Sequence, residues 1–151
     1  MTILRWTDAL SVNINEIDQQ HKQLIIMVNE LNEAMRKRKA KDVLGEIIDG
    51  LINYAATHFA TEEKYFDKYD YPATETHKKE HAGFVEKVIE FKLGFDEGRI
   101  LLSLDVMNFL QEWLLNHIQV SDKKYCFYFA ETGRNPTYGA KKINKTTTTQ
   151  R

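Results

Sequence analysis

Apolar residues that recur every three or four positions, in four separate stretches, are the feature that most constrains this sequence. Such spacing is typical of helices that bury one face. The stretches run through Leu24, Val28, Leu31 and Met35; through Leu44, Ile47, Leu51, Tyr54, Phe59 and Phe66; through Phe84, Val88, Phe91 and Phe95; and through Val106, Leu110 and Trp113 onward to Tyr125. No stretch shows the sustained alternation of a strand, and the chain has only two prolines. The sequence therefore predicts an all-α fold, an up-down-up-down antiparallel four-helix bundle.

Cap and breaker residues set the expected limits of these helices. Asp18 is a candidate N-cap for the first helix, at residues 17–35. The second is expected to end before Tyr71-Pro72, because proline disfavours helical backbone in the residue before it. The third is expected to stop at Gly98, and Ser103 is a candidate cap for the fourth.

The chain divides into one folded domain and a tail. Residues 1–132 are expected to form the bundle, with residues 1–16 as a short leader whose Trp6 covers one end. Residues 133–151 contain no acid and too little apolar surface to form a core, so this basic tail is expected to be disordered, with a weak attraction to acidic partners as its possible role. Its charges are Arg134, Lys141, Lys142, Lys145 and Arg151.

Composition excludes several classes of protein. With a net charge of −1, the chain as a whole lacks the excess of basic residues that is typical of nucleic-acid-binding proteins. No apolar run approaches the roughly 20 residues that span a bilayer, and no signal-peptide pattern is present, so a soluble cytoplasmic protein is expected. The single cysteine, Cys126, cannot form an internal disulfide and is expected to be a buried free thiol.

Every histidine continues one of the apolar stripes at helical spacing. A lone histidine on an apolar face is more often a core residue with a hydrogen-bond partner than a metal ligand, and this alternative applies to each one taken singly. Several imidazoles buried together without partners would be strongly destabilising, however, and a shared metal removes that penalty. The histidines that continue these stripes are His21, His58, His77, His81 and His117.

Pairs of donors share one helical face on the second and third helices. Residues four apart project from the same side of a helix. His58 with Glu62, and His77 with His81, are spaced in this way. Each pair can therefore hold a metal site from one side.

Asp122 follows His117 by five residues, which places it about 140° away around a regular helix. Both side chains can face inward only if the helix widens locally. We therefore predict a π-type bulge between them, a distortion that often marks functional sites. If Asp122 instead faces water, the site loses one bridging ligand.

The number and type of these donors indicate the metal. Zinc sites usually take four ligands, and seven donors are too many for one such ion. Two octahedral ions fit better. Five imidazoles, two bridging carboxylates and one shared oxo or hydroxo group would leave a single position open. Imidazole with carboxylate suits iron, and an open position beside a second iron suits reversible binding of dioxygen.

The sequence resembles the bacterial hemerythrins over about residues 6–125. The resemblance rests on Trp6 and on four motifs in order. They are D-Q-Q-H ending at His21, H-F-A-T-E-E from His58, Y-P-A-T-E-T-H-K-K-E-H from Tyr71 with Phe84 after it, and W-L-L-N-H-I-Q-V-S-D-K-K-Y from Trp113. Two features depart from the family pattern: Phe66 stands where methionine is frequent, and the extension after Thr132 has no counterpart.

The resemblance implies a role for each donor. His77, His81 and His117 would hold one iron whose coordination is full. His21 and His58 would hold the iron with the open position. Glu62 and Asp122 would bridge the two ions. The residues that match the apolar lining of the family's dioxygen pocket are Leu24, Phe59, Trp113, Leu114 and Ile118, although ordinary core packing would also explain them.

These observations favour a non-enzymatic carrier or store of dioxygen, which would deliver it to oxygen-consuming enzymes. Two alternatives stay open. The same centre could reduce peroxide or nitric oxide or oxidise ferrous iron, although ferritin-like oxidases build their sites mainly from carboxylates. It could also act as an oxygen or redox sensor through a partner protein. A monomer is expected.

Overall fold

The computed structural model describes residues 4–99 and 104–133, and every regular element within them is helical. A 3₁₀ turn at Asp8–Leu10 precedes α1 (Asn15–Arg36), α2 (Lys41–Lys68), α3 (Thr74–Asp96), α4 (Leu104–Asn116), a π segment (His117–Asp122) and α5 (Lys123–Glu131). The last three form one continuous rod, because helical backbone runs through both junctions. Helix α1 contacts α2 and α4, and α2 contacts α3. The predicted four-helix bundle is confirmed.

The ends of the helices agree with the breakers in the sequence, with one exception. Helix α2 ends before Pro72 and α3 ends two residues before Gly98, which has a φ of 76°. The prediction of Asp18 as an N-cap is wrong, because α1 already begins at Asn15. The buried Asp18 carboxylate instead accepts hydrogen bonds from the Val12 amide at 2.9 Å and the Ser11 hydroxyl at 2.5 Å. Ser103 and residues 134–151 lie outside the described residues.

The leader lies along the bundle rather than over its end. The backbone of Leu4 exchanges two hydrogen bonds of 3.0 Å with the Asn29 side chain, midway along α1. Trp6 lies next to Lys22 of the same helix, whose ammonium is 5.0 Å from the centre of the ring. The leader therefore contributes a flank of the core, and its buried residues are Leu4, Leu10, Val12 and Ile14.

The stripe predicted for α2 is buried in part, as at Leu51, but part of it is only half-covered. Leu44 and Ile47 are only half-buried, whereas Ile48 and Ala55 are buried. Helix α2 packs against both α1 and α3, so the centre of its covered face lies between its two neighbours. No helix among the described residues is long and apolar enough to cross a membrane.

Two apolar clusters fill the interior. The larger cluster includes Leu24, Phe59, Leu114 and Ile118. The smaller, which we call the aromatic cluster, consists of Val12, Ile14, Ile17, Phe66, Tyr71, Tyr125, Cys126 and Phe129. Cys126 is buried and unbridged as predicted, and burial raises the pKa of its thiol.

Candidate metal centre

The structure brings all seven predicted donors together in the interior. Helix α1 supplies one histidine, α2 a histidine and a glutamate, α3 two histidines, and the π segment a histidine and an aspartate. Each side chain is almost completely inaccessible to solvent. The exposed fractions are 0% for His21, Glu62 and Asp122, 1% for His58, 2% for His81, and 3% for His77 and His117.

The donors form two groups that share both carboxylates. One group contains Glu62, His77, His81, His117 and Asp122, and the other contains His21, His58, Glu62 and Asp122. Within each group the donor atoms lie within 4.8 Å of one another. We call these the three-histidine group and the two-histidine group. Two ions could therefore be held side by side, with Glu62 and Asp122 between them.

The orientation of the carboxylates fits this division. Asp122 places Oδ2 3.0 Å from His21 Nε2, and Oδ1 3.0 Å from His77 Nε2 and 3.2 Å from His117 Nε2. Each oxygen of Asp122 therefore faces a different group. Glu62 does the same, with Oε1 2.9 Å from His81 Nε2 and Oε2 3.6 Å from His58 Nε2.

The π segment allows His117 and Asp122 to face inward together. It spans the predicted interval, His117–Asp122, and both side chains are buried. A π turn takes in one more residue than an α turn, so residues five apart come to the same side of the helix. The alternative, in which Asp122 faces water, is excluded.

Unsatisfied polar atoms test whether a metal fits the site. Buried atoms that form no hydrogen bond include both nitrogens of His21, both oxygens of Asp122 and the Nε2 atoms of three other histidines. Burying such atoms without partners is strongly destabilising, and buried polar groups in native proteins are almost always paired. Cations among these nitrogens and oxygens would satisfy them. The residues present therefore fit a metal centre.

Electrostatics also favours a cation. Burial raises the pKa of Glu62 and Asp122, but the neighbouring histidines outweigh it and hold both pKa values below their usual range, so both groups are anionic. Burial lowers the pKa of His21 and His77, yet Asp122 and Glu62 more than reverse this and raise both to about 9. The two carboxylates thus favour positive charge among the donors, which a metal ion would supply.

Four residues around the donors have roles that the sequence analysis did not assign. Gln20 Oε1 lies 2.7 Å from His58 Nδ1, Glu63 Oε2 lies 2.9 Å from His81 Nδ1, and Glu80 Oε1 lies 2.9 Å from His117 Nδ1. The Tyr125 hydroxyl donates a hydrogen bond of 2.5 Å to Glu62 Oε2. All four belong to the motifs quoted above, and those motifs are the signal that could have indicated them.

The five apolar residues predicted around the centre lie in or against the larger cluster. Leu24, Leu114 and Ile118 are buried. The Phe59 ring stacks on His81 with centroids 3.9 Å apart, and Trp113, which is half-buried, stacks on His117 at 4.4 Å. Both aromatic rings therefore contact the three-histidine group.

Comparisons with known proteins agree with this geometry. Residues 12–126 match the family model described as hemerythrin HHE cation binding domain. Bacteriohemerythrin from Stenotrophomonas maltophilia (strain R551-3) is 37% identical over 125 residues, 83% of this chain and 80% of that protein. Bacteriohemerythrin from Methylococcus capsulatus (strain ATCC 33009 / NCIMB 11132 / Bath) is 32% identical, over 83% of this chain and 95% of its own. A crystal structure of wild-type hemerythrin superposes with a TM-score of 0.77 at 32% identity, covering 82% of this chain and 95% of the other. This chain therefore belongs to the hemerythrin family.

Proposed function

We propose that the centre holds two iron ions and binds dioxygen reversibly. The observation that carries this proposal is the pair of donor groups that share both buried carboxylates. His77, His81 and His117 would hold one ion, and His21 and His58 the other, with Glu62 and Asp122 between them. The two-histidine group supplies one donor fewer, which leaves room for an external ligand. When bound, two ferrous ions supply the electrons that hold dioxygen reversibly.

The apolar cover supports binding over catalysis. Leu24, Leu114 and Ile118 are buried in the larger apolar cluster and carry no group that could donate a proton. A dry surround of this kind excludes the water that would otherwise assist loss of reduced oxygen species. We therefore infer a non-enzymatic role in storage of dioxygen or its delivery to an oxygen-consuming enzyme. A reducing compartment such as the cytoplasm suits the buried free thiol of Cys126.

Metal counting and optical spectroscopy of the full chain test this function. After anaerobic loading with ferrous iron, the protein is expected to contain two irons per chain. It should gain a visible absorption band under oxygen and lose that band over repeated cycles of deoxygenation. A single zinc per chain would refute the di-iron site. Irreversible bleaching in the first cycle, or sustained turnover of peroxide, would identify an enzyme instead.

A further inference from the structure

The Nδ1 nitrogens of the histidines have different partners in the two donor groups. In the three-histidine group, His81 Nδ1 and His117 Nδ1 each contact a carboxylate, Glu63 and Glu80 respectively, at 2.9 Å. In the two-histidine group, His58 Nδ1 contacts the neutral amide of Gln20. His21 Nδ1 is buried and forms no hydrogen bond with any part of the chain that the structure describes.

These partners follow a regular arrangement between helices. Gln20 precedes His21, Glu63 follows Glu62, and Glu80 precedes His81 in the sequence. A residue beside an inward-facing ligand points about 100° away from it, toward the neighbouring helix. There it meets the histidine of that helix. Each of these three residues is next to one ligand in the sequence but contacts a ligand on the neighbouring helix. Its side chain therefore determines whether that second ligand meets a neutral or a charged partner.

The hydrogen bonds of Thr61 determine which end of the Gln20 amide faces His58. The Thr61 hydroxyl donates to the Thr57 carbonyl at 3.1 Å, so its oxygen is left to accept a hydrogen bond from Gln20 Nε2 at 3.2 Å. Gln20 Oε1 then faces His58 Nδ1 and accepts a hydrogen bond from its N–H. This leaves the lone pair of His58 on Nε2, the nitrogen that faces the centre.

The difference between amide and carboxylate has a consequence for the metal. A carboxylate that accepts a hydrogen bond from Nδ1–H makes imidazole a stronger electron-pair donor to the metal, and it adds negative charge close to the ion. Both effects favour the ferric state over the ferrous state. Glu80 Oε1 also accepts a hydrogen bond of 2.6 Å from the Ser121 hydroxyl, which holds this carboxylate against His117. A neutral amide supplies neither a full charge nor as strong an acceptor.

We propose that Gln20 is a positioning residue that acts through His58 to keep the ion of the two-histidine group in the ferrous state, and so favours reversible binding over oxidation. This inference rests on the proposed function, because it concerns the ion with the open position. The two ions then differ in reduction potential. The ion of the two-histidine group is the more easily reduced, because it lacks the outer carboxylates that surround the other.

Substitution Gln20→Glu in the iron-loaded full chain tests the proposal. Thr61 can turn its hydroxyl to donate to the new carboxylate, so the contact with His58 can be retained. The reduction midpoint measured by spectroelectrochemistry should fall, with the ferric-to-ferrous equilibrium shifting by about tenfold, or about 59 mV for one electron. Autoxidation under air should be faster by about 10-fold or more.

The matched control is Glu63→Gln, which makes the reverse change on His81. It should raise a midpoint potential, because it removes an outer carboxylate from the three-histidine group. If Gln20→Glu does not load two irons, the rise in Glu63→Gln carries the test alone. Unchanged potentials in fully loaded variants, or shifts of both in the same direction, would overturn the proposal. These potentials can be measured whether or not dioxygen binds reversibly, so failure here is distinct from failure of the proposed function.

Discussion

At the scale of single residues, Tyr125 is expected to stabilise the metal-free site. Its hydroxyl is the hydrogen-bond donor to Glu62 Oε2, and both side chains are inaccessible. Tyr125→Phe removes this donor at little change in volume and leaves a buried anion less satisfied. The free energy of unfolding of the metal-free protein, measured in urea, should fall by about 1.5–3 kcal/mol. Tyr128→Phe is the control, because its hydroxyl makes only an exposed 3.4 Å contact with the Asp70 carbonyl. Equal losses in the two variants would refute this role for Tyr125.

The seven donors could be predicted from the sequence, whereas the residues that orient them could not. Spacing within a helix places His58 and Glu62 on one face without knowledge of any other helix. The partner of His58, however, is Gln20 on a different helix, and spacing does not show which helices are neighbours. Asp18 was misjudged for a similar reason, because its partners Ser11 and Val12 lie in the irregular leader.

At the scale of elements, Gly98 is predicted to define the end of α3. Its φ of 76° lies in the left-handed region, where a side chain costs about 1–2 kcal/mol. Gly98→Ala should lower the free energy of unfolding by that amount in urea denaturation. Gly83→Ala should instead raise it by about 0.5–1 kcal/mol, because Gly83 lies inside α3 and a Cβ there meets nothing within 4 Å. Two changes of the same sign would contradict this account.

The C-terminal ends of α2 and α3 and the π segment were predictable because each depends on local chemistry. Pro72 and Gly98 act on the backbone beside them, and the interval from His117 to Asp122 requires a wider turn once both must face inward. The half-burial of Leu44 and Ile47 in α2 depends instead on packing against two neighbouring helices. The periodicity of one helix does not contain that information.

At the scale of the whole molecule, the apolar stripes predicted the four-helix bundle, but they did not predict the position of the leader. Leu4 and Val12 are as buried as the helical core, yet they lie in irregular backbone with no periodic pattern. Their burial depends on hydrogen bonds to α1, such as that between Leu4 and Asn29. A non-periodic segment can therefore complete a core without a signal of its own in the sequence.

The stability of the whole metal-free molecule should depend on pH through the histidines of the centre. The pKa of His21 and His77 is raised from 6.5 to about 9, and that of His117 to about 10, because nearby carboxylates outweigh burial. A group whose pKa is higher in the folded than in the unfolded state stabilises the fold fully below its unfolded pKa. That contribution is lost as the pH rises through the folded pKa. The free energy of unfolding of the chelator-treated protein should thus fall, on the order of a few kcal/mol, between about pH 6.5 and 10.

Metal loading should abolish most of this dependence. An ion holds the imidazoles in their neutral form throughout the range and replaces the protons as the partner of Glu62 and Asp122. Loading at pH 7 should accordingly release protons, which calorimetry in buffers of different ionisation enthalpy would detect. Because those protons compete with the metal, apparent metal affinity should increase as the pH rises from about 6.5 to 9. A metal-free protein with flat stability over this range, or loading without proton release, would show that the imidazoles are neutral before the metal arrives.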